Sequence, residues 1–178
     1  MFKGFIVQVV IIVVIFNLVS SLRENSMLSS WNNDAAPSFN LPTLKNDTYS
    51  LAQPLLTLNG ESDESDKKVG RAKNTVVYFF APWCSICKAS IGNLESIYKN
   101  KTNVDIVAVA LDYKDVGEVE GFAKDLQLNF PITLGNEQVK QAYKVSAYPS
   151  YYVLDANNHI IHRSMGYSTS LGLYMRTL

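Results

Sequence analysis

The chain has 178 residues and carries 16 basic and 16 acidic side chains, so its formal net charge is zero. A neutral chain without a long basic run lacks the charge pattern of nucleic-acid-binding proteins, and we expect no nucleic-acid partner. Two cysteines are too few for a disulfide-rich scaffold, and the length beyond an apolar N-terminal segment suits one ordinary domain with its own core.

The N-terminal segment, residues 1–22, contains few strongly polar residues, namely Lys3, Gln8 and Asn17. Such a terminal stretch is typical of a membrane anchor or of a secretory signal. Because small residues suited to cleavage are weakly represented, we predict an uncleaved anchor, a single transmembrane helix. Lys3 and the amino terminus precede it, so the N-terminus is expected in the cytoplasm and the domain on the periplasmic, extracytoplasmic side of the cytoplasmic membrane.

Three segments precede the central strand. Residues 23–36 are rich in Ser and Asn without a hydrophobic period, and we interpret them as a linker. Residues 37–42 and 46–51 are predicted to form two short strands, a small hairpin at the edge of the sheet. Residues 60–73 mix acidic and basic side chains with almost nothing apolar, which is typical of a solvated loop.

A strand–helix–strand–helix pattern occupies the middle of the chain. Residues 75–80 are a continuous β-branched and aromatic run, which predicts a strand buried on both faces. The spacing of apolar residues then predicts a helix over 84–99, a strand over 104–111, and a helix that starts at Asp115 or Gly117 and ends at Leu126. Crossover helices of this kind place the two strands in parallel.

The rest of the chain is predicted to contain shorter elements. After residues 131–134 they are a helix over 137–143, strands over 151–154 and 159–163, and a final helix over 168–176. The tight turn between the last two strands predicts an antiparallel hairpin. The pattern as a whole predicts an α/β fold with a central mixed sheet flanked by helices.

Both cysteines, Cys84 and Cys87, stand where the buried strand leads into the first long helix. Residues three apart share one face of a helix, so the two thiols can close a disulfide with little backbone movement. A helix N-terminus also favours the thiolate form of a cysteine. A loop this short constrains little chain entropy, so the pair indicates a reversible redox switch rather than a structural cross-link.

Three segments carry a resemblance to a known family: Phe80-Ala81-Pro82-Trp83-Cys84-Ser85-Ile86-Cys87-Lys88, the strand over 104–112, and Tyr148-Pro149 before a strand. The chain resembles the thioredoxin superfamily and, within it, the TlpA-like membrane-anchored thiol-disulfide oxidoreductases. Residues 36–39 and the closing residues 166–167 and 171–173 are similar to members linked with copper-sensitivity suppression. The resemblance implies a three-layer thioredoxin-like domain over residues 37–178.

The resemblance also implies a mechanism. Cys84 is expected to attack a protein disulfide and Cys87 to resolve the mixed disulfide, while Trp83 shields one side of the pair. Tyr148-Pro149 is expected to be a cis peptide that lies opposite the cysteines and presents a backbone edge to the substrate. The expected partners are protein disulfides and a membrane thiol-reducing transporter as electron donor, with flow in the reducing direction and without a cofactor.

The chain departs from the family at two places that often hold carboxylates. Ser90 and Gly92 replace a glutamate and a proline after the second cysteine, and Tyr78 replaces a buried aspartate of thioredoxin. Proton transfer from Cys87 is therefore assigned to water, to the Tyr78 hydroxyl or to Asp112 at a strand end.

Four other interpretations compete with this one. A copper-binding or copper-chaperone module would use the same two cysteines. A thiol peroxidase would share the fold, but peroxiredoxins place a threonine where this chain has Ala81. A structural zinc site needs about four ligands and finds too few here, so we expect no metal. A redox-inert adhesion module would not need both cysteines.

Overall fold

The computed structural model describes residues 6–12, 14–15, 26–31, 34–51, 73–99 and 104–177. The strands are β1 (Phe39–Pro42), β2 (Thr48–Leu51), β3 (Asn74–Phe80), β4 (Val104–Ala110), β5 (Ile132–Leu134), β6 (Ser150–Leu154) and β7 (Ile160–Met165). The helices are α1 (Ser85–Lys99), α2 (Val116–Asp125), α3 (Glu137–Ala142) and α4 (Ser170–Arg176). These bounds agree with the predicted elements to within one or two residues.

The central sheet has five strands in the order β5-β4-β3-β6-β7. Strands β3, β4 and β5 are parallel, whereas β6 is antiparallel to β3 and β7 is antiparallel to β6. The predicted mixed sheet, its parallel central pair and its C-terminal antiparallel hairpin are therefore confirmed.

Strand β3 separates two hydrophobic cores. Val76, Tyr78 and Phe80 belong to the core that includes apolar residues of α1, α2 and α4, whereas Val77 and Phe79 belong to the core that includes Val139 of α3. Successive side chains of a strand point to opposite faces, so a central strand with helices on both sides needs apolar residues throughout. This explains the unbroken apolar run and gives the fold its three layers.

The hairpin of β1 and β2 forms its own two-stranded sheet. It reaches the edge strand β5 through one bridge between Thr43 and Thr133, and the Leu44 amide donates to the Ile132 carbonyl at 3.1 Å. The predicted hairpin at the sheet edge is thus present, held beside β5 rather than built into the central sheet.

Helix α2 begins at Val116, with Asp115 as its N-cap. The Asp115 carboxylate accepts a hydrogen bond of 3.0 Å from the Glu118 amide, one of the donors that a helix start leaves unpaired. The helix therefore starts between the two predicted positions, directly after Asp115.

The described part of residues 23–36 packs against the sheet. Met27 is buried, and its carbonyl and that of Leu28 accept hydrogen bonds from the Arg163 guanidinium at 3.1 and 2.7 Å. The Leu28 amide donates to the Tyr152 hydroxyl at 3.2 Å. Trp31, in contrast, is almost fully exposed.

Several predictions fall wholly or partly outside the described residues. Residues 6–12 and 14–15 are helical with exposed apolar side chains, and the remainder of the predicted anchor is not described. Within the described parts of the chain, no helix is both long enough and apolar enough to cross a membrane. Residues 60–72 of the predicted charged loop also lie outside the description.

Candidate active site

The two cysteines lie where the chain passes from β3 into α1. Cys84 directly precedes the helix, and its carbonyl accepts the first helical hydrogen bond from the Lys88 amide at 3.1 Å. Cys87 lies in the first turn. Their Cα atoms are 5.2 Å apart and their sulfur atoms form a disulfide, as the spacing predicts.

The sulfur of Cys84 occupies the N-cap position of α1. It accepts a hydrogen bond of 3.1 Å from the Cys87 amide, which is the contact that a capping oxygen makes in other helices. The first turn of α1 contains no acidic residue, so the positive end of the helix dipole is not neutralised there. An amide donor and a helix N-terminus are features that favour an anion, so this position suits a thiolate.

The two cysteines differ in their access to solvent. Cys84 is 7% exposed, whereas Cys87 is completely buried. Trp83 and Ile86 flank Cys84 and are more than half exposed, so apolar surface surrounds this cysteine. Of the two cysteines, Cys84 is therefore the one that retains some contact with solvent.

The loop before β6 lies at the same end of the sheet. Ser150, the first residue of β6, pairs with Phe79 near the end of β3, so Tyr148 and Pro149 lie beside the point where the chain turns toward the cysteines. The Tyr148–Pro149 peptide bond is cis, as the resemblance implies. The Pro149 carbonyl accepts a hydrogen bond of 2.7 Å from the Gly166 amide.

Asp112 follows β4 and joins the residues around this site. Its backbone carbonyl accepts a hydrogen bond of 2.9 Å from the Trp83 indole. Its carboxylate accepts hydrogen bonds from the Tyr148 hydroxyl at 2.9 Å and from the Lys140 ammonium at 2.7 and 2.9 Å. The Trp83 and Tyr148 rings meet edge to face with centroids 5.9 Å apart.

The electrostatics of this cluster follow from its contacts. The hydrogen bonds from Lys140 hold the pKa of the Asp112 carboxyl below its usual value, and Asp112 in turn raises the pKa of Lys140. Burial, together with the nearby carboxylate, raises the pKa of Tyr148. At neutral pH the cluster is therefore an ion pair with a protonated phenol, and Asp112 is not a free base.

Tyr78 and Ser90 lie in the interior on the α1 side of the sheet. Their hydroxyl oxygens share a hydrogen bond of 2.6 Å, and both residues are 2% exposed. Burial raises the pKa of the Tyr78 phenol above its ordinary value, so at neutral pH the pair carries no charge. The two positions where relatives of the resembled family often hold carboxylates are thus bonded to each other.

The structure brings together most of the site residues that the sequence predicts. Trp83, Cys84, Asp112, Tyr148 and Pro149 lie at one end of the sheet. Tyr78 lies in the same buried cluster as Cys87. The described residues contain no group of three or more His, Cys, Asp or Glu side chains that could hold a metal ion.

Sequence reasoning missed one residue of the cluster, Lys140. It lies 28 residues after Asp112, on a short helix whose pattern indicates only an exposed polar position. The sequence marks Ser90 as a departure from the family pattern but does not identify it as a partner of Tyr78. Its position three residues after Cys87, on the same helix face, was the available signal.

The sheet order, the disulfide at the start of α1 and the neighbouring cis-proline together define a thioredoxin-like protein. The chain belongs to the AhpC/TSA family, whose model matches residues 33–163.

Three relatives illustrate the similarity. The thiol-disulfide oxidoreductase ResA of Oceanobacillus iheyensis is 28% identical over 162 residues, which cover 89% of this chain and 77% of the relative. ResA of Geobacillus kaustophilus is 32% identical over 97 residues, which cover 51% of this chain and 53% of the relative. The crystal structure of StoA from Bacillus subtilis aligns with a TM-score of 0.62 and 21% identity over 80% of this chain and 98% of that one.

These relatives agree with the TlpA-like resemblance. Proteins named thiol-disulfide oxidoreductases align with the segment that contains the Cys84–Cys87 disulfide, and the fold is shared. The protein is a thiol-disulfide oxidoreductase, an enzyme that exchanges a dithiol and a disulfide.

Proposed function

We propose that Cys84 is the attacking thiolate and Cys87 the resolving thiol. The observation that carries this assignment is the sulfur of Cys84 at the N-cap of α1, which accepts a hydrogen bond from the Cys87 amide at 3.1 Å; Cys84 keeps 7% of its surface exposed, whereas Cys87 keeps none. The helix N-terminus lowers the pKa of a thiol there and increases its thiolate fraction at neutral pH.

The exchange proceeds in two steps. The Cys84 thiolate attacks one sulfur of a substrate disulfide, which forms a mixed disulfide and releases the other substrate sulfur as a thiolate that takes up a proton. Cys87 then loses its proton and attacks the Cys84 sulfur, which closes the Cys84–Cys87 disulfide and releases the second substrate thiolate. Two electrons pass from the protein dithiol to the substrate.

The loop at Tyr148–Pro149 is the proposed binding site for the substrate backbone. Among the described residues, the backbone amide and carbonyl of Tyr148 have no hydrogen-bond partner. They lie beside the end of β3 that leads to Cys84. An extended substrate segment that pairs with these groups would add a short strand and bring its disulfide to Cys84.

The proton of Cys87 is proposed to leave through water or the Tyr78–Ser90 pair. Asp112, the third candidate, is already held by Lys140 and Tyr148. Because Tyr78 is neutral at physiological pH, it can pass on a proton but does not act as a charged base.

The proposed direction is reduction of protein disulfides, with re-reduction by a membrane thiol transporter. Residues 1–22 are proposed as a membrane anchor, 23–36 as a linker and 37–178 as the catalytic domain, held on the extracytoplasmic side of the cytoplasmic membrane. The apolar character of residues 6–15 supports an anchor. Outside the cytoplasm a dithiol needs a dedicated donor to stay reduced, which supports a membrane partner.

Insulin reduction by the dithiothreitol-reduced protein tests the activity. We expect turnover by the native chain and none by Cys84→Ala or Cys87→Ala, with little turnover of hydrogen peroxide. An anaerobic titration with Cu(I) serves as the companion measurement. Tight copper binding by a protein that fails to reduce insulin would contradict the enzyme and favour a copper-binding module.

The reduction potential of the Cys84/Cys87 couple, measured against glutathione, tests the direction. We expect a potential near that of reductases such as thioredoxin, about −270 mV, and a value near about −120 mV would instead indicate an oxidant.

A further inference from the structure

Asp112 contacts both aromatic side chains beside Cys84 and also a charged partner. Its carbonyl binds the Trp83 indole, and its carboxylate binds the Tyr148 hydroxyl and the Lys140 ammonium. We propose that Asp112, held by Lys140, is a positioning residue that fixes Trp83 and Tyr148 as one wall of the substrate site. This inference rests on the proposed thiol-disulfide exchange at Cys84.

The backbone of Asp112 is suited to this task. Its φ is +50°, in the left-handed region that aspartate and asparagine tolerate better than most other residues. Any residue in that conformation could offer a carbonyl to Trp83. A carboxylate is needed to accept from the Lys140 ammonium and the Tyr148 hydroxyl at once, because both are donors and each needs its own lone pairs.

The wall is made by the contact between the two rings. Trp83 is 59% exposed, so the surrounding core does not hold it, and Tyr148 is only half-buried. Their edge-to-face contact at 5.9 Å depends on both rings keeping their orientation. Asp112 accepts hydrogen bonds from the Trp83 indole nitrogen and the Tyr148 hydroxyl, and it therefore fixes the orientation of both rings.

The ion pair itself contributes little to the stability of the fold. The side chains of Lys140 and Asp112 are 27% and 38% exposed, and partly exposed pairs of this kind stabilise proteins weakly. Its effect is on geometry: it anchors the Asp112 carboxylate to α3, so that Tyr148 meets a fixed acceptor.

A wall beside Cys84 affects large and small substrates differently. A protein segment must lie against Trp83 and pair with the backbone of Tyr148 before its disulfide reaches the thiolate. A small disulfide needs only to reach the sulfur of Cys84. Loss of the wall should therefore weaken binding of protein substrates and leave the reactivity of the thiolate unchanged.

The test uses Asp112→Asn and Lys140→Met in the full chain. Asparagine tolerates the left-handed conformation and removes only the charge and one acceptor site. Lys99→Met is the matched control, because it removes a lysine that forms an ion pair with Glu95 at the far end of α1. Rates are measured with insulin and with hydroxyethyl disulfide as the small substrate.

We expect Asp112→Asn and Lys140→Met each to raise KM for insulin by about tenfold, the change that accompanies loss of a charge-assisted hydrogen bond, with kcat within about twofold of the native value. The rate with hydroxyethyl disulfide and the insulin kinetics of Lys99→Met should stay within about twofold. Unchanged KM in both variants, or an equal fall in the rates with both substrates, would overturn the proposal.

A spectroscopic measurement tests the position of Trp83 independently of the exchange activity. Trp31 and Trp83 are the two tryptophans of the chain, so a Trp31→Phe background leaves Trp83 as the reporter. Acrylamide quenching of Trp83 should increase in Asp112→Asn and Lys140→Met and not in Lys99→Met. If insulin reduction by the native chain fails, the proposed function fails, whereas unchanged quenching in both variants contradicts the wall itself.

Discussion

The hydroxyl oxygens of Tyr78 and Ser90 lie 2.6 Å apart in the core. Tyr78 is on β3 and Ser90 is one turn of α1 beyond Cys87, so this hydrogen bond ties the central strand to the helix that carries the cysteines. Because each hydroxyl is buried, each depends on the other for its hydrogen bond.

Removal of either hydroxyl should destabilise the protein. Tyr78→Phe and Ser90→Ala are each expected to lower the free energy of unfolding by about 1–3 kcal/mol, because the remaining buried hydroxyl loses its partner. The double variant should lose less than the sum of the two single variants. Urea unfolding of the oxidised protein measures all three changes, and strictly additive values would show that the two hydroxyls are not coupled.

The stability of the protein should fall at alkaline pH partly through Tyr78. Burial raises the pKa of this phenol from the ordinary value of 10.0, so the folded state keeps a proton that the unfolded state releases. The stability that the protonated Tyr78 contributes is fully present below pH 10, and it is lost as the pH rises toward the pKa of Tyr78 in the folded state. Between about pH 10 and pH 11, Tyr78→Phe should therefore show a shallower decline in the free energy of unfolding than the native chain.

The matched control for the alkaline measurement is Tyr174→Phe, since Tyr174 is 43% exposed on α4. It should follow the pH dependence of the native chain. If the free energy of unfolding declines equally with pH in Tyr78→Phe and in the native chain, the pKa of Tyr78 is not raised in the folded state.

Much of this architecture was predictable because it depends on local patterns. The part of β3 from Val76 to Phe80 is β-branched or aromatic at every position, and α1 and α2 carry apolar residues at helical spacing, so their burial follows from the sequence. The Asp112–Lys140 contact was not predictable. It joins a strand end to a helix 28 residues later, and only the packing of α3 beside β4 brings the two together.

A charge placed beside Cys84 should shift the pKa of its thiol. Ile86 is in the first turn of α1 and 52% exposed, so Ile86→Glu and Ile86→Lys alter the charge without opening the core. Glutamate should raise the pKa of Cys84 and lysine should lower it, each through an interaction of about 0.3–1 kcal/mol with the helix end and the thiolate.

Alkylation of Cys84 by iodoacetamide as a function of pH, followed by mass spectrometry, measures these shifts. The same two substitutions at Leu171, which is 68% exposed on α4, provide the control and should leave the profile unchanged. Shifts of the same sign in Ile86→Glu and Ile86→Lys would rule out an electrostatic cause.

Gly135 should not tolerate a side chain. A Cβ atom there would lie 2.7 Å from side-chain carbons of Leu111 and Val109 and 2.8 Å from the Ala110 carbonyl oxygen, which already accepts from the Gly135 amide. We expect Gly135→Ala to lower the free energy of unfolding by about 1–3 kcal/mol, as overpacking does elsewhere.

Gly121→Ala is the matched control for that substitution. Gly121 lies within α2, and a Cβ atom there meets nothing within 4 Å. Because alanine favours helices, this change should stabilise the protein by about 0.5–1 kcal/mol. If Gly135→Ala is stabilised as Gly121→Ala is, the close contacts described around Gly135 are wrong.

The central claim is that Cys84 attacks and Cys87 resolves, and trapping of the mixed disulfide tests it most directly. Reduced Cys87→Ser and Cys84→Ser variants are incubated with oxidised insulin, quenched with acid and analysed by mass spectrometry. The account predicts a covalent adduct on Cys84 in the Cys87→Ser variant and almost none in the Cys84→Ser variant. An adduct that forms on Cys87 as readily as on Cys84 would contradict it.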